Sequence, residues 1–322
     1  MLRIHFLNVG HGDCCIIEFI DNSRVAMIDI NRTPEMDEES AREIYESIST
    51  SLSIPLSYSL SARSTLLLGT KITPSMLESV GYNIRLQDPL EYLYSKGITN
   101  IFRFISTHPH MDHLSGLYDL HKQIGFTNIW IIKNEYEPDL DKLSEPQKRD
   151  WELYKKFRDT DEREIEGVII VRPEEGYQAQ YYKEDGIQIL APNDQLKEGS
   201  ESNPNKMSYV LLIKHRGRKI LLPGDAEKET WEYLVENYED ELKNIDILKA
   251  AHHGRDSGYY QLAVKLMFPT YTIVSVGKKP EADASNKYRG YSEHVWSTRW
   301  KGNIVFTIND DGKITYETQY DR

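Results

Sequence analysis

The stretch Ser106-Thr107-His108-Pro109-His110-Met111-Asp112-His113 places three histidines and one aspartate within six residues. Imidazole nitrogens together with a carboxylate oxygen form a donor set for borderline divalent metals: zinc, manganese or iron. Pro109 holds His108 extended rather than helical. In an extended chain residues two apart point to the same side, so His108 and His110 can reach one ion. The segment from Leu114 to His121 reads as the start of a helix, so the chain must turn before it. Asp112 and His113 fall at that turn and are placed to serve a second ion beside the first. One histidine in a loop would read as a solvated residue. Three with an aspartate, at this spacing and behind a strand, carry a metal-site signal.

The element that feeds this stretch is the apolar run Ile101-Phe102-Arg103-Phe104-Ile105, which reads as a buried strand. Two further strands end in similar chemistry. Leu221-Leu222-Pro223-Gly224-Asp225 sets an aspartate behind a glycine turn, and residues 246–251 lead into His252-His253-Gly254. Asp225 could bridge two ions. One of His252 and His253 could complete the coordination of the second, while the other contacts substrate or orients a ligand. Met27-Ile28-Asp29 also closes an apolar strand with an acid, read either as a turn residue or as a support for the site.

In this order the set resembles the metallo-β-lactamase superfamily, whose signature is His-x-His-x-Asp-His. Within it the chain is most similar to the hydrolase domain of the DNA-uptake competence family (ComEC-like). Asn8-Val9-Gly10-His11-Gly12-Asp13 resembles that family's Asp-Val-Gly-Gln-Gly-Asp, with His11 where glutamine is usual. Asn205 with Ser208-Tyr209-Val210-Leu211, Lys249 through Gly254, Ser275-Val276-Gly277, and Asn286 with His294 match further segments. The resemblance implies a four-layer αββα sandwich with two central mixed sheets, helices outside, and metals at one edge. It also implies metal ligation by His108, His110, Asp112, His113, Asp225, His252 and His253. Asp13, Asp29, Asn205, Ser208, Lys249 and His294 then surround the centre as substrate contacts or supporting groups. Lys249 reads equally as a surface lysine at a strand end. Many superfamily enzymes carry a third histidine on the first ion. This chain offers Asn205 and Ser208 there, which leaves one or two ions per chain. Arg255-Asp256-Ser257 replaces a serine-rich run, and the spacing to His294 is longer.

The 322 residues are 39% hydrophobic, enough for a sizeable core, and read as a single domain of residues 1–322. Two segments interrupt the α/β rhythm and read as helical insertions: about 33–86, with a serine-rich stretch from Ser47 to Ser64, and about 135–166. The first reads as a lid, a protein-partner surface or a partly disordered loop. In the second, Trp151, Tyr154 and Phe157 form one apolar stripe best explained as core. No run of 18 apolar residues exists, so no membrane span is expected. Adjacent Cys14 and Cys15 read as core thiols on opposite faces of a strand, which with the lack of a signal peptide points to the cytoplasm. The formal net charge of -12 argues against general nucleic-acid binding and, with no membrane segments, against DNA transport. Bound metal would supply local positive charge. The basic hairpin turn of Lys214, Arg216, Arg218 and Lys219 reads as solvated.

A metal-bound hydroxide is the expected nucleophile, because divalent metals lower the pKa of bound water to ~7. Asp112 and Asp225 are the catalytic candidates that orient it. Lys249, Asn205 and Ser208 are candidates to contact phosphate. The expected function is a phosphodiesterase or nuclease acting on nucleic acid, polymer or small nucleotide. A hydrolase of a small ester, lactone or amide is the alternative, and a non-catalytic binding subunit the second.

Overall fold

The computed structural model describes residues 1–51, 72–277 and 282–321. Its strands are β1 (Leu2–Phe6), β2 (Cys15–Phe19), β3 (Arg24–Ile28), β4 (Ile101–Ile105), β5 (Phe126–Trp130), β6 (Glu164–Ile165), β7 (Val168–Val171), β8 (Ile187–Ala191), β9 (Val210–His215), β10 (Arg218–Leu222), β11 (Ile247–Lys249), β12 (Tyr271–Val274), β13 (His294–Ser297), β14 (Ile304–Ile308) and β15 (Ile314–Thr318). Alternation along these segments builds a core between two sheets. Cys15, Ile17 and Phe19 face the inter-sheet cluster with Leu2, Ile4 and Phe6, while Cys14 and Ile16 face the outer helices. The thiols therefore point to opposite sides, as the sequence indicated.

One sheet has nine strands in the order β15-β14-β1-β2-β3-β4-β5-β7-β6, and the other six in the order β13-β12-β11-β10-β9-β8. Both are mixed: β1–β2 and β9–β10 pair antiparallel, whereas β3–β4–β5 and β10–β11–β12–β13 run parallel. Helices Pro89–Ser95, Leu117–Gln123 and Glu145–Asp159 cover the first sheet. Helices Lys228–Asn237 and Gln261–Met267 cover the second. This is the expected four-layer αββα sandwich. Trp151, Tyr154 and Phe157 bury one face of the helix Glu145–Asp159. Each such burial contributes roughly 1.5–3 kcal/mol, so the stripe fixes the helix against the sheet.

Residues 52–71, which include most of the serine-rich stretch, lie outside the described residues. The rest of segment 33–86 has its own small core, with Met36, Ile44, Leu77 and Tyr82 packed against Trp300 and Tyr320. Tyr82 Oη donates to the Trp300 carbonyl at 2.7 Å, and Arg299 pairs with Glu43 at 2.5 Å. The apolar face of this segment is therefore turned onto its own chain. The basic hairpin turn is neutralised locally: Arg218 pairs with Asp246 and Arg216 with Asp21. Arg103, part of the run read as apolar, is buried between the sheets and pairs with Asp185 at 2.9 Å.

Candidate metal centre

The parallel strands bring their carboxyl ends to one edge of the sandwich, where ligands of open α/β sheets collect. Asp29 follows β3, the His108–His113 stretch follows β4, Asp225 follows β10, His252 and His253 follow β11, and Ser275 follows β12. Asp29, His252 and His253 all sit in the left-handed region, at φ of 57°, 49° and 53°. Such backbone is uncommon outside glycine and is held here by the contacts around it. Gly12 lets a neighbouring loop close over the cluster, since a Cβ there would lie 2.5 Å from the Asp112 carbonyl oxygen.

Hydrogen bonds behind the histidines fix which nitrogen each presents. Asp29 accepts from the Thr107 amide at 2.8 Å and the Thr107 hydroxyl at 2.6 Å, and from His113 Nδ1 at 2.7 Å. The Thr107 hydroxyl proton is thus committed, so its oxygen accepts from His108 Nδ1 at 3.0 Å. His253 Nδ1 donates to the Ser275 carbonyl at 3.0 Å. Each of these rings turns its Nε2 toward Asp225. His113, His253 and His108 place Nε2 at 3.3, 3.6 and 3.7 Å from Asp225 Oδ2. Anchoring of the far ring nitrogen is how proteins orient histidine ligands.

The donors fall into two groups around Asp225. His108 Nε2 and His110 Nδ1 lie 3.0 Å apart on one side. On the other, His113 Nε2 and His253 Nε2 are 3.3 Å apart, and His253 Nε2 is 3.2 Å from Asp112 Oδ2. His252 Nε2 approaches Asp225 Oδ2 at 3.8 Å, while its Nδ1 meets Ser257 Oγ at 2.7 Å and Glu227 Oε1 at 3.3 Å. Converging lone pairs and carboxylates need a cation between them. Asp225 Oδ1 is also buried without a hydrogen-bond partner among the described residues. The residues therefore fit a divalent metal, and the donor set of nitrogen and carboxylate oxygen is the chemistry zinc, manganese and iron accept.

The electrostatics agree. Burial holds the His108 pKa well below the usual imidazole value, with His113 adding to the effect, and burial lowers His110 as well. Burial also opposes charge on His113 and His253, but the nearby carboxylates, Asp225 first, outweigh it and raise both. Burial would push Asp225 up, yet His113, His253 and His108 hold it well below the carboxylate range. Asp112 is lowered in the same way, chiefly by His113 and His253 against its burial.

The remaining expected residues take different places. Asp13 stands behind the rings, with its carboxylate 3.7 Å from Nδ1 of both His113 and His253, and it pairs with Lys249 Nζ. Lys249 is 5% exposed, so the reading of a surface lysine is corrected: the strand end is covered by the other sheet, and Asp13 and Asp225 neutralise the ammonium. Ser208 Oγ accepts from the Asp225 amide at 3.1 Å, and Asn205 Nδ2 donates to Glu227 at 3.2 Å. His294 is not brought to the centre. It opens β13 opposite Tyr271, the start of β12, whereas the site lies past Val274 at the other end of that pairing.

Two contributors were not singled out by sequence reasoning. Glu227 gathers Asn203, Asn205 and His252, and the His252 hydrogen bond foremost holds it down to about 2. Its only signal was an acid two residues beyond Asp225. His11 lies against His253 with ring centroids 4.7 Å apart and planes tilted by 48°, and it groups with Asp112 and His253 as possible donors within 4.8 Å. Burial lowers its pKa to about 4.

No family model matches the chain. Among curated proteins it is similar to Recombination protein 2 of Haemophilus influenzae, 25% identical over 130 residues. The match covers 39% of this chain and 16% of the length of that relative. Among solved structures it is similar to Igni18, a metallo hydrolase from the archaeon Ignicoccus hospitalis, at 13% identity and a TM-score of 0.46 over 98% of both chains. It is also similar to the metallo-beta-lactamase fold protein YhfI of Bacillus subtilis, at 11% identity and a TM-score of 0.41 over 98% of this chain and 100% of that one.

Proposed function

We propose that the chain is a metal-dependent hydrolase that cleaves phosphodiesters, in nucleic acid or in a nucleotide. The observation that carries this is the set of three histidines, each anchored through Nδ1, that turn Nε2 onto the one buried carboxylate of Asp225. His108, His110, Asp225 and His252 would hold one ion. Asp112, His113, His253 and the shared Asp225 would hold the other. One or two ions of zinc, manganese or iron fit this donor set. When bound, such an ion lowers the pKa of water and neutralises charge on a phosphoryl oxygen.

The chain's own groups then divide the remaining work. Asp29 and Ser275 hold the rings in the tautomer that ligates. Asp13 and Lys249 balance charge behind them, and Ser208 fixes the turn that presents Asp225. Asp112, a third exposed, stands at the open side, where it can orient an attacking water. A phosphodiester is favoured because the motifs resemble the competence-type branch. The name of the matched relative, a recombination protein, points the same way. Residues 1–322 form one hydrolase unit in this reading, with 33–86 and 135–166 as insertions. The two buried free thiols suit a reducing compartment such as the cytoplasm.

The test is hydrolysis of bis-p-nitrophenyl phosphate by protein loaded with zinc or manganese. Turnover that is lost on chelation and restored by metal is expected. A loaded protein that opens lactones or amides but cleaves no phosphodiester would move the function to that substrate class.

A further inference from the structure

Beside the Asp112 group lies a cation that the metal centre does not use. Arg255 is only partly exposed, and it has no carboxylate partner among the described residues. Its Nε is buried without a hydrogen-bond partner. A guanidinium withdrawn from water and left unpaired is costly, and its planar fork is shaped for carboxylate or phosphate oxygens. Among the described residues its side chain hydrogen-bonds only His11, with Arg255 Nη2 at 3.3 Å from His11 Nε2. A guanidinium can only donate, so His11 Nε2 accepts and the ring proton sits on Nδ1. That Nδ1 is itself buried without a partner. Arg255 Nε and His11 Nδ1 are therefore two buried donors with nothing among the described residues to accept from them.

Their place in the fold is fixed. The left-handed residues His252 and His253 turn the chain so that Arg255 N bonds back to the His252 carbonyl at 2.9 Å. A backbone bridge to Asp283 pins the same residue from the other side. His11 is held by close packing of its loop, since a Cβ on Gly277 would lie 2.6 Å from the His11 amide nitrogen. The His11 ring lies against His253, with a ring nitrogen within 4.8 Å of the carboxylate of Asp112, the more exposed carboxylate of the centre. The orphaned donors thus flank the side open to substrate. They are also two of the positions where the sequence departs from the motifs it resembles.

We propose that Arg255, with His11 beside it, holds a phosphate oxygen of the substrate next to the Asp112 side of the centre. This rests on the phosphodiesterase reading for the identity of the substrate, but not for the existence of the anion site. It makes His11 a substrate contact, because the lone pair at Nε2 is engaged by Arg255 and Nδ1 carries the proton.

The experiment is calorimetric titration of inorganic phosphate into the zinc-loaded protein, with metal content measured in parallel. Arg255→Ala should weaken phosphate binding by roughly 10–100-fold, the range of a lost charge-assisted hydrogen bond, while zinc per chain stays the same. Arg255→Lys should keep part of the affinity, as a point charge without the fork. His11→Gln should weaken phosphate less than Arg255→Ala and keep its zinc. For bis-p-nitrophenyl phosphate, KM should rise in Arg255→Ala in step with the phosphate dissociation constant. Phosphate affinity unchanged in a folded Arg255→Ala protein overturns the proposal. So does loss of a zinc equivalent in His11→Gln, which would make His11 a ligand. A wild type that cleaves no phosphodiester yet binds phosphate through Arg255 upholds the anion site and removes only the substrate reading.

Discussion

His113 and His253 are each gripped from behind and wholly buried, whereas the His110 ring stands at the mouth and, among the described residues, hydrogen-bonds only with His108. The His113 side has Asp29 and Ser275 setting its tautomers and Asp13 balancing charge. The His108 side shares Asp29 only through the Thr107 hydroxyl. Partners that fix ligand orientation raise metal affinity, because less ring freedom is lost when the ion arrives. The comparison teaches that the two halves should fill unequally. The His113, His253 and Asp112 half should hold its ion more tightly, and the other half should empty first under a chelator.

The largest effect should come from removing what the halves share. Asp225→Ala takes the central carboxylate from both, so metal content should fall below one equivalent per chain. Hydrolysis of bis-p-nitrophenyl phosphate should drop by at least ~100-fold, the scale of losing one electrostatic catalytic group. Full metal loading in this variant would break the comparison at its root.

Asp29 comes next. Asp29→Asn keeps a residue that tolerates the left-handed backbone at this position. It removes the carboxylate that takes the proton of His113 directly and that of His108 through Thr107. Metal affinity measured by chelator competition should weaken by ~10–100-fold, with the tighter site losing more. Equal loss at both sites would show that the chain of bonds through Thr107 is as strong as the direct one. A smaller effect is expected from His110→Ala, which should leave one tightly held equivalent, while His253→Ala should lose that one. The opposite pattern would reverse the ranking of the halves.

How much of this could be read in the sequence follows from range. The ligands from His108 to His113 are local, so their spacing alone shows them. Asp225 and His252-His253 are visible because acids and histidines closing apolar strands are uncommon, and the layered fold was implied by the resemblance that these motifs carry. For Lys249 the sequence left a site role and a surface lysine equally open, because its partner Asp13 lies on the loop before β2 and no local pattern announces a buried ammonium. Glu227, His11 and Arg255 escaped for the same reason: their contacts join loops that are distant in sequence. Arg103 sat within an apolar run, and only the packing of Asp185 beneath the sheet explains it.

His294 tests the boundary of the centre from outside it. The sequence placed it among the substrate or supporting residues, on the strength of an Asn286 and His294 pattern. In the parallel register His294 sits opposite Tyr271, and Ser297 opposite Val274, next to which Ser275 holds His253. The rise along a strand puts His294 roughly 10 Å from the level of the metal centre. There its ring stacks on Tyr271 with centroids 5.0 Å apart and an interplanar angle of 22°, and leans on Trp296 at 5.6 Å. Such aromatic contacts contribute about 0.5–1.5 kcal/mol. His294→Ala should therefore lower the thermal midpoint slightly while metal per chain, kcat and KM stay at wild-type values. A His294→Ala protein that loses metal or turnover while remaining folded would show that the second sheet's edge strand reaches the site, and that the centre is larger than the two halves around Asp225.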